Sequence, residues 1–469
     1  MYKPIHRRTR VHTFIGSWVY RFISHQRMFY SIRKIIPHAC IRWYHLFLAV
    51  CANVWYRFPS QELVVIGVTG TNGKTTTCHM IADMIEHAGV KVGLTSTIEF
   101  RIADTRWVND TKQGMQGRFR LQKLLRRMVK AGCRVAVIET TSEGISQYRH
   151  WGIEYSIGVL TNLTPEHIES HGSFEQYKKA KGMLFFTLKR KKKKQFEDVI
   201  PTSIINTDSP HADYFLSIPV ERRWCYGLKG GHCFATEDQC EKKCTAEITE
   251  MHFHGIECVL NGMPVNLALS GRMNVYNALA AWCVGEALDI SVEDRKKALE
   301  KMTRVAGRME KIEHNGITVV VDYAHDPAAL EQVYETLSAI KVPSARLIGV
   351  FGATGGGRDH SKRPVMGKLA AAYCDAIVIC NDDPYDEDPQ SIMSAIESGV
   401  KEKGRHVKDE TYWIIEDRRK AIKKAIEFAR SGDIIALTGK GAEECIVLAD
   451  GKQKWNDKNV VEELFLLCG

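Results

Sequence analysis

A glycine-rich stretch at residues 67–77 carries the residue types that bind phosphate. It reads Gly-Val-Thr-Gly-Thr-Asn-Gly-Lys-Thr-Thr-Thr, with an apolar run before it and a helix-like segment after it. Such glycines let backbone N–H groups approach phosphate oxygens, and the N-terminus of the following helix adds positive potential. Lys74 can reach the β- and γ-phosphates of a nucleotide, and the Thr75 hydroxyl can ligate Mg²⁺. The stretch predicts an ATP site, although Val68 stands where the common motif has its first glycine. The predicted ATP-binding residues of this loop are Gly70, Thr71, Asn72, Gly73, Lys74, Thr75 and Thr76.

Three further polar residues follow predicted strands and would lie near that loop. Glu139 ends the apolar strand at residues 135–138, where a carboxylate suits a second Mg²⁺ ligand. An ordinary strand-end acid is the alternative. His167 comes just after the next strand and suits a metal or phosphate contact, with a structural histidine as the alternative. Arg358 follows three glycines and suits bidentate recognition of a carboxylate or phosphate.

Helices and strands alternate along most of the chain, which predicts a mostly parallel sheet with helices on both faces. In the central part we expect strands at residues 63–66, 90–96, 135–138, 156–160 and 203–206. A second α/β unit has expected strands at residues 318–321, 346–351, 376–380 and 433–437. Residues 215–268 are strand-rich and indicate a small antiparallel addition. We therefore predict an α/β fold with three parts: a short helical N-terminal segment (1–58), a phosphate-loop central domain (59–303) and a C-terminal Rossmann-like domain (304–469).

The positive charge of the chain is concentrated at its start. Residues 1–60 hold ten Lys and Arg and no Asp or Glu, while the whole chain has a net charge of +10. A neutral body with a basic head argues against general nucleic-acid binding, and it favours contact between the head and an anionic surface. A nucleotide-using core also implies a reducing compartment, so we expect a cytoplasmic protein in which most of the 14 cysteines are free thiols.

Within this head, residues 41–58 are expected to form a helix that is too short and too polar to span a membrane. Its polar side chains would form one strip, made of Arg42, His45, Asn53 and Arg57. Three interpretations are open: a brace packed on the ATP-binding domain, an anchor at an anionic lipid surface, or an organellar targeting segment.

Nine stretches, in order along residues 60–469, resemble the motifs of the Mur ligases and most closely those of the MurE branch, the UDP-N-acetylmuramoyl-tripeptide synthetases. These stretches are residues 67–77, 138–149, 161–172, 271–280, 307–310, 321–327, 355–364, 382–389 and 439–443. The resemblance implies an ATP-dependent ligase of peptidoglycan precursor synthesis that adds an amino acid to a muramyl-dipeptide acceptor resembling UDP-MurNAc-L-Ala-D-Glu. ATP would phosphorylate the acceptor carboxylate, and the amino acid would then attack the acyl phosphate.

The resemblance also assigns roles to individual residues. The implied catalytic residues are Lys74, His167 and Lys181. Thr75 and Glu139 would hold one Mg²⁺, and His167 with a carbamylated Lys181 would hold a second. Further ATP contacts are implied at Asn274, Asn277, Arg308 and Asp322. The acceptor would meet Thr111, Thr141, Gln147 and Arg149. The incoming amino acid would meet Arg358, Asp383, Gly439 and Glu443. The active site would lie between two domains of a monomer and close over its substrates, since phosphoryl chemistry needs water excluded.

Two departures from the family pattern bear on the substrates. MurE proteins usually carry an N-terminal domain that binds uridine, whereas only about 60 residues, basic and aromatic, precede the phosphate loop here. Either uridine is bound otherwise or the acceptor is not a UDP-sugar; a lipid-linked acceptor is one possibility. Enzymes that add diaminopimelate have an arginine where this chain has Tyr385, and a histidine usual near the end of the chain is replaced by Ala442. Tyr385 cannot form the bidentate ion pair with a distal carboxylate, which favours lysine or another amino acid lacking that group.

Two other functions compete with this one. A related ligase with another acceptor, such as a folylpolyglutamate or cyanophycin synthetase, would share the ATP chemistry. A nucleotide-binding scaffold would not need two sets of metal ligands, so the presence of both Glu139 and Lys181 argues against it.

Overall fold

The computed structural model of the chain describes residues 38–165, 171–188, 199–231, 233–234 and 239–468. His167 lies outside these residues. No helix within the described ranges is long and apolar enough to cross a membrane.

One large mixed sheet forms the centre of the first half of the described chain. Its strands are β1 (Val64–Thr69), β2 (Val92–Thr95), β3 (Glu99–Ile102), β4 (Thr105–Val108), β5 (Val135–Glu139), β6 (Ile157–Leu160), β7 (Thr202–Asn206), β8 (Arg222–Leu228), β9 (Lys242–His252), β10 (Gly255–Leu260) and β11 (Met263–Leu267). They lie in the order β11-β10-β9-β8-β7-β6-β1-β5-β2-β3-β4. The strands from β9 to β2 run parallel, and the two strands at each edge are antiparallel.

Helices cover both faces of this sheet. They are α1 (His38–Trp55), α2 (Lys74–His87), α3 (Arg118–Lys130), α4 (Ser142–Ser146), α5 (Phe174–Phe186), α6 (Ala212–Leu216), α7 (Arg272–Ala287) and α8 (Val292–Lys301), with a short 3₁₀ turn at Pro59–Glu62. Successive residues of β1 point to opposite faces, and all six are buried, as expected for a central parallel strand. The even-numbered side chains pack with α2 and α7 in one hydrophobic cluster, while the opposite face packs against α3 and α5.

The second half of the chain has its own sheet. Its strands are β12 (Glu310–His314), β13 (Ile317–Asp322), β14 (Leu347–Phe351), β15 (Ala376–Ile379), β16 (Tyr412–Ile414) and β17 (Ile434–Thr438). They lie in the order β12-β13-β17-β14-β15-β16, and all but β12 are parallel. A separate hairpin joins β18 (Cys445–Leu448) to β19 (Gly451–Lys454). The helices are α9 (Pro327–Ile340), α10 (Lys362–Tyr373), α11 (Pro389–Glu402), α12 (Arg418–Phe428) and α13 (Asp457–Cys468).

The predicted fold class is confirmed, with two corrections in the first half. The strand-rich segment is not a separate antiparallel addition, because β8 and β9 continue the central sheet in parallel and only β9 to β11 form an antiparallel meander. Alternation of polar and apolar residues identifies a half-buried strand but not its direction. The hairpin of β3 and β4 at the other edge was not predicted. In the region of the predicted addition, Cys225 and Cys240 form a disulfide. The buried Cys78, Cys133, Cys244, Cys258, Cys283, Cys374 and Cys380 are free thiols.

Helix α1 packs on the central domain with its polar groups turned inward. His45 and Asn53 are buried, and Asn53 Nδ2 donates a 2.8 Å hydrogen bond to the carbonyl oxygen of Trp151. Arg42 Nη2 donates a 3.1 Å hydrogen bond to the Tyr148 hydroxyl, so Arg42, His45 and Asn53 lie on one side of the helix, as predicted, and that side faces the protein. Arg42 is exposed, and Arg57 lies beyond the last turn with a left-handed φ of 58°. The outward side of the helix exposes Trp43, Tyr44, Phe47 and Trp55.

Candidate active site

The phosphate loop joins β1 to α2, as the sequence predicted. Gly70 and Gly73 have φ angles of 150° and 81°, which few side chains tolerate. Among the described residues, no side chain caps the N-terminus of α2. Lys74, Thr75 and Thr76 of its first turn line a cavity. The first N–H groups of a helix have no partner within the helix, which suits them to phosphate oxygens. Lys74 Nζ lies over the loop, 3.0 Å from the carbonyl oxygen of Gly70 and 2.5 Å from that of Thr71.

A buried carboxylate faces the first turn of α2. Glu139 is 2% exposed and accepts a 3.0 Å hydrogen bond from Thr75 Oγ1. Its two oxygens also accept hydrogen bonds from Thr97, one from the backbone N–H and one from the hydroxyl, both at 2.8 Å. These contacts fix the carboxylate at the end of β5 and place two hard oxygen donors, a hydroxyl and a carboxyl group, beside the phosphate loop. That donor set suits Mg²⁺.

Lys181 reaches the same loop from α5, although nothing in its local sequence marks it. Its side chain is buried, and its Nζ donates a 2.7 Å hydrogen bond to the carbonyl oxygen of Gly70. The ammonium also lies 4.4 Å from the ring centroid of Tyr177. Close by, His171 contacts the Ser142 hydroxyl at 3.1 Å. Burial, together with the charge of Lys181, lowers the pKa of His171 below its ordinary value, which favours the neutral imidazole.

Helix α7 brings two predicted adenine-site residues against the loop. Asn277 Oδ1 accepts a 3.1 Å hydrogen bond from Thr77 Oγ1, and Asn277 Nδ2 donates to Asn274 Oδ1 at 3.1 Å. Asn274 Nδ2 in turn donates to the carbonyl oxygen of Ser270 at 2.8 Å. The chain of hydrogen bonds holds both amides at the edge of the cavity. A Cβ atom on Gly73 would lie only 2.4 Å from Asn277 Oδ1, so α7 and the loop are closely packed.

The C-terminal domain contributes two predicted nucleotide contacts. Arg308 Nη2 donates to Thr75 Oγ1 at 3.3 Å, across 233 positions of sequence. Asp322 ends β13 and accepts 2.8 Å hydrogen bonds from the backbone N–H groups of Met309 and Ala324. Burial raises the pKa of Asp322 above its usual value, although Arg308 and these N–H groups oppose that rise.

The predicted acceptor residues lie along one side of the cavity. Thr111, Thr141 and Arg149 line it. Gln147 does not line it, but its Oε1 accepts a 2.8 Å hydrogen bond from Arg149 Nη2. Arg149 Nη1 also donates to the carbonyl oxygen of Met115 at 2.5 Å. Gln147 therefore holds the guanidinium in place.

The predicted amino-acid residues lie in the C-terminal domain. Arg358, Asp383, Gly439 and Glu443 all line the cavity. Lys440 is fully buried between the two acids, with its Nζ 2.8 Å from Asp383 Oδ1 and 2.5 Å from Glu443 Oε2. Burial acts to raise the pKa of Asp383, but Lys440 and Lys112 hold it below its usual value. Asp383 is therefore ionised at neutral pH.

A single cavity of about 480 Å³ connects these groups, with the two domains as its walls. Of the predicted loop residues, Thr71 to Thr76 line it, whereas Gly70 contributes its carbonyl oxygen to the two lysines. Glu139, Lys181, Asn274, Asn277, Arg308 and Asp322 line it as well. His167 cannot be placed in it, because that residue lies outside the described ranges.

Sequence reasoning missed several cavity residues. Lys112, Lys440, His171, Tyr323 and Asp382 all contribute to the cavity or its charge network. Lys440 lies within the stretch at residues 439–443, in which only Gly439 and Glu443 were predicted as amino-acid contacts. His171 lay four residues after the named histidine. Lys112 had no local signal beyond its position next to Thr111.

Comparison with known proteins identifies both halves of the chain. Residues 68–285 match the family described as Mur ligase middle domain, and residues 307–441 match the Mur ligase, glutamate ligase domain. The UDP-N-acetylmuramyl-tripeptide synthetase of Roseiflexus sp. (strain RS-1) is 36% identical over 87% of this chain and 80% of its own length. The UDP-N-acetylmuramoyl-L-alanyl-D-glutamate–2,6-diaminopimelate ligase of Halalkalibacterium halodurans is 32% identical over 91% of this chain and 83% of its own length.

Solved structures of related ligases also resemble this chain. A UDP-N-acetylmuramoyl-L-alanyl-D-glutamate–2,6-diaminopimelate ligase superposes with a TM-score of 0.55 at 29% identity, over 87% of this chain and 79% of that one. A Mycobacterium tuberculosis folylpolyglutamate synthase superposes with a TM-score of 0.64 at 17% identity, over 84% of this chain and 92% of that one. The second likeness concerns the fold alone.

Proposed function

Because this chain belongs to the Mur ligase family, whose members are ATP-dependent ligases that form amide C–N bonds, we propose that it adds an amino acid to a muramyl-dipeptide acceptor resembling UDP-MurNAc-L-Ala-D-Glu. The reaction is a step of peptidoglycan precursor synthesis. The observation that carries the proposal is the single cavity that the phosphate loop, Arg149, Asp383 and Glu443 line together, with residues from both domains. Three substrates must meet in such a ligase, and these are three chemically distinct binding regions.

The first half-reaction is phosphoryl transfer. A carboxylate oxygen of the acceptor attacks the γ-phosphorus of ATP, the bond to the β,γ-bridging oxygen breaks, and ADP leaves. The first turn of α2 offers backbone N–H groups to the phosphates, and Lys74 offers an ammonium to the charge that moves onto the bridging oxygen. Asn274 and Asn277 border the adenine, while Arg308 and Asp322 contact the nucleotide from the other domain.

The second half-reaction forms the amide bond. The amine nitrogen of the incoming amino acid attacks the acyl carbon, and the C–O bond to phosphate breaks, so inorganic phosphate leaves and the amine loses one proton. Arg149 is 10% exposed and fixed by Gln147, which suits it to hold an acceptor carboxylate. Arg358 suits the α-carboxylate of the amino acid. Thr111 and Thr141 supply hydroxyl groups along the acceptor side.

Mg²⁺ fits the donor set found beside the phosphate loop. Thr75 Oγ1 and Glu139 Oε2 lie 3.0 Å apart, and the carboxylate is already fixed by Thr97. When bound there, Mg²⁺ supplies neutralisation of phosphate charge. Buried Lys181, with His167, is the proposed second pair of ligands after carbamylation of the lysine.

Phosphate release from ATP tests the function. Purified protein is given ATP, Mg²⁺, UDP-MurNAc-L-Ala-D-Glu and single amino acids, and products are weighed by mass spectrometry. We expect release that depends on one class of amino acid, with a product heavier by that residue. Lys74→Ala should lower turnover by about 100-fold or more. The exposed Lys91, changed to alanine, serves as the control. Turnover by Lys74→Ala equal to that of Lys91→Ala would contradict the mechanism.

A lipid-linked acceptor is the alternative, and the N-terminal helix favours peripheral contact between a cytoplasmic enzyme and an anionic membrane. The aromatic side of α1 points away from the protein, with Trp43, Phe47 and Trp55 exposed by 71%, 65% and 76%. Ten basic residues and no acidic ones lie in residues 1–60. Exposed aromatic rings next to basic charge suit the interface of an anionic bilayer.

Co-sedimentation with vesicles tests this contact. The full chain should pellet with vesicles containing phosphatidylglycerol and stay in solution with phosphatidylcholine alone. Replacing Trp43, Phe47 and Trp55 together by serine should abolish pelleting. Replacing the exposed Leu466 and Leu467 by serine, at the other end of the chain, should not. Equal pelleting by both variants would exclude the aromatic side of α1 as the membrane contact.

A further inference from the structure

Lys112 reaches from the acceptor side of the cavity into the amino-acid end. It lies in the loop between β4 and α3 of the central domain, next to Thr111. Its Nζ is 2.8 Å from Asp383 Oδ2 and 2.7 Å from Glu443 Oε2, both in the C-terminal domain. The three side chains are 16%, 7% and 13% exposed, so these ion pairs are largely shielded from water. An ammonium group of the protein itself thus lies inside the proposed amino-acid site.

The loop that presents Lys112 is held by hydrogen bonds. Asn109 Nδ2 donates to the carbonyl oxygens of Ser96 and Gln113 at 2.7 and 2.9 Å, and its Oδ1 accepts from the N–H of Thr111 at 2.9 Å. Lys112 itself has a left-handed φ of 56°. A lysine persists in that conformation only where the surrounding structure imposes it, and such strain is concentrated at functional sites. The position of Lys112 is therefore built into the loop.

All four carboxylate oxygens of the two acids already accept a hydrogen bond. Asp383 Oδ1 accepts from Lys440 at 2.8 Å and from the N–H of Val447 at 2.7 Å, while Oδ2 accepts from Lys112. Glu443 Oε2 accepts from both lysines, and Oε1 accepts from the Tyr323 hydroxyl at 3.4 Å. Each of the four oxygens has a donor within the described chain. A third ammonium would have to displace Lys112 or meet its repulsion.

We propose that Lys112 fills the position that a second ammonium group of the substrate would take, and so selects an amino acid without one. The inference rests on the proposed function and names the substrate class of that site: amino acids with a neutral or acidic side chain, and not lysine, ornithine or diaminopimelate. Displacement of Lys112 by a cationic substrate is disfavoured, because its ion pairs join the two domains. A substrate that broke them would loosen the closed state at the moment when water must be excluded.

The test compares L-lysine with L-norleucine, which has the same chain length and lacks the ε-amine. In the phosphate-release assay, the unchanged protein should use norleucine with a higher kcat/KM than lysine. Lys112→Met should shift that ratio toward lysine by about tenfold or more, since the released acids then accept the substrate ammonium. Lys112→Arg keeps the cation and should keep the preference. Lys403→Met, an exposed lysine after α11, should behave as the unchanged protein.

Other results would overturn the proposal. A preference of the unchanged protein for lysine, or an unaltered ratio in Lys112→Met, contradicts it. If no amino acid supports turnover in either protein, the proposed function is wrong, and the role of Lys112 is then tested by binding measurements alone. Isothermal titration calorimetry with ATP present should show L-lysine binding gained by Lys112→Met and absent from the unchanged protein. Equal lysine binding by both would refute the selective role of Lys112.

Discussion

The packing of the phosphate loop against α7 gives a prediction that separates steric contact from backbone strain. Gly73 and Gly89 stand at opposite ends of α2 with φ angles of 81° and 76°. Alanine at either position costs about 1 kcal/mol in the left-handed conformation. They differ in their surroundings. A Cβ at Gly89 meets nothing within 4 Å, whereas a Cβ at Gly73 would lie 2.4 Å from Asn277 Oδ1.

The magnitude follows from what must move. Ordinary contact begins near 3.4 Å, so Asn277 or the loop must retreat by about 1 Å in Gly73→Ala. That displacement breaks the hydrogen bond from Thr77 to Asn277, the bond from Asn277 to Asn274, or both, each 3.1 Å long. At about 1 kcal/mol for each bond, the lost hydrogen bonds should cost Gly73→Ala roughly 1–2 kcal/mol of free energy beyond the cost of Gly89→Ala. Because the displaced groups line the nucleotide cavity, ATP affinity should fall by about 5- to 30-fold.

Isothermal titration calorimetry measures the affinity for ATP. Urea denaturation measures the loss of stability that both variants share because alanine replaces glycine in the left-handed conformation. Gly89→Ala should bind ATP as the unchanged protein does while unfolding at lower urea. The double variant Gly73→Ala/Asn277→Ala should lose less ATP-binding free energy than the sum of the losses in the two single variants. The reason is that Asn277→Ala already removes the atoms with which the new Cβ would clash. Equal ATP affinity in Gly73→Ala and Gly89→Ala would refute the reasoning.

Three further outcomes follow from buried charges. Glu139→Gln should raise the Mg²⁺ concentration for half-maximal ATP turnover by about tenfold or more, whereas the exposed Glu293→Gln should leave it unchanged; equal effects would dismiss Glu139 as a ligand. Arg418→Leu leaves the fully buried carboxylate of its ion pair uncompensated and should lower the free energy of unfolding by about 3–5 kcal/mol. Its neighbour Arg419→Leu breaks only a surface pair, so thermal denaturation should detect less than about 1 kcal/mol. Burial lowers the pKa of Lys311 from 10.5 to about 8. The folded protein therefore loses this proton before the unfolded chain, and stability relative to Lys311→Met should rise from about pH 8 to pH 10.5; a flat difference in urea midpoints would contradict this.

The parts of the site that depend on local chain geometry could be predicted from sequence. The phosphate loop needs only a strand, glycines and a helix in succession, and the carboxylate of Glu139 needs only a strand end beside it. The order of motifs then identified the family, and both family matches confirm it. The strand-rich segment was assigned the wrong pairing, since the pattern of burial along one strand carries no information about its neighbour's direction.

The orientation of helix α1 could not be predicted, for a different reason. Arg42, His45 and Asn53 share one side of the helix, as predicted, but the sequence pattern does not tell whether that side faces solvent or the protein. In the structure Asn53 fits against Gly152, where any Cβ would lie 2.5 Å from its amide, and the aromatic rings remain outside. A helix that buries a hydrogen-bonded amide and exposes tryptophan departs from the usual rule, and only the partner surface explains it.

The contacts that join the two domains were the least predictable, and they concern the chemistry most directly. Arg308 meets Thr75 across 233 positions, and Lys112 meets Asp383 across 271. Long cationic side chains make both contacts, so the backbones of the two domains need not touch and no local pattern records the pairing. Each pair also couples a predicted substrate contact of one domain to a residue of the other. We therefore expect the predicted closure of the domains and the occupation of the proposed substrate sites to depend on the same few charges, which is what a ligase needs if its acyl phosphate is to meet an amine before it meets water.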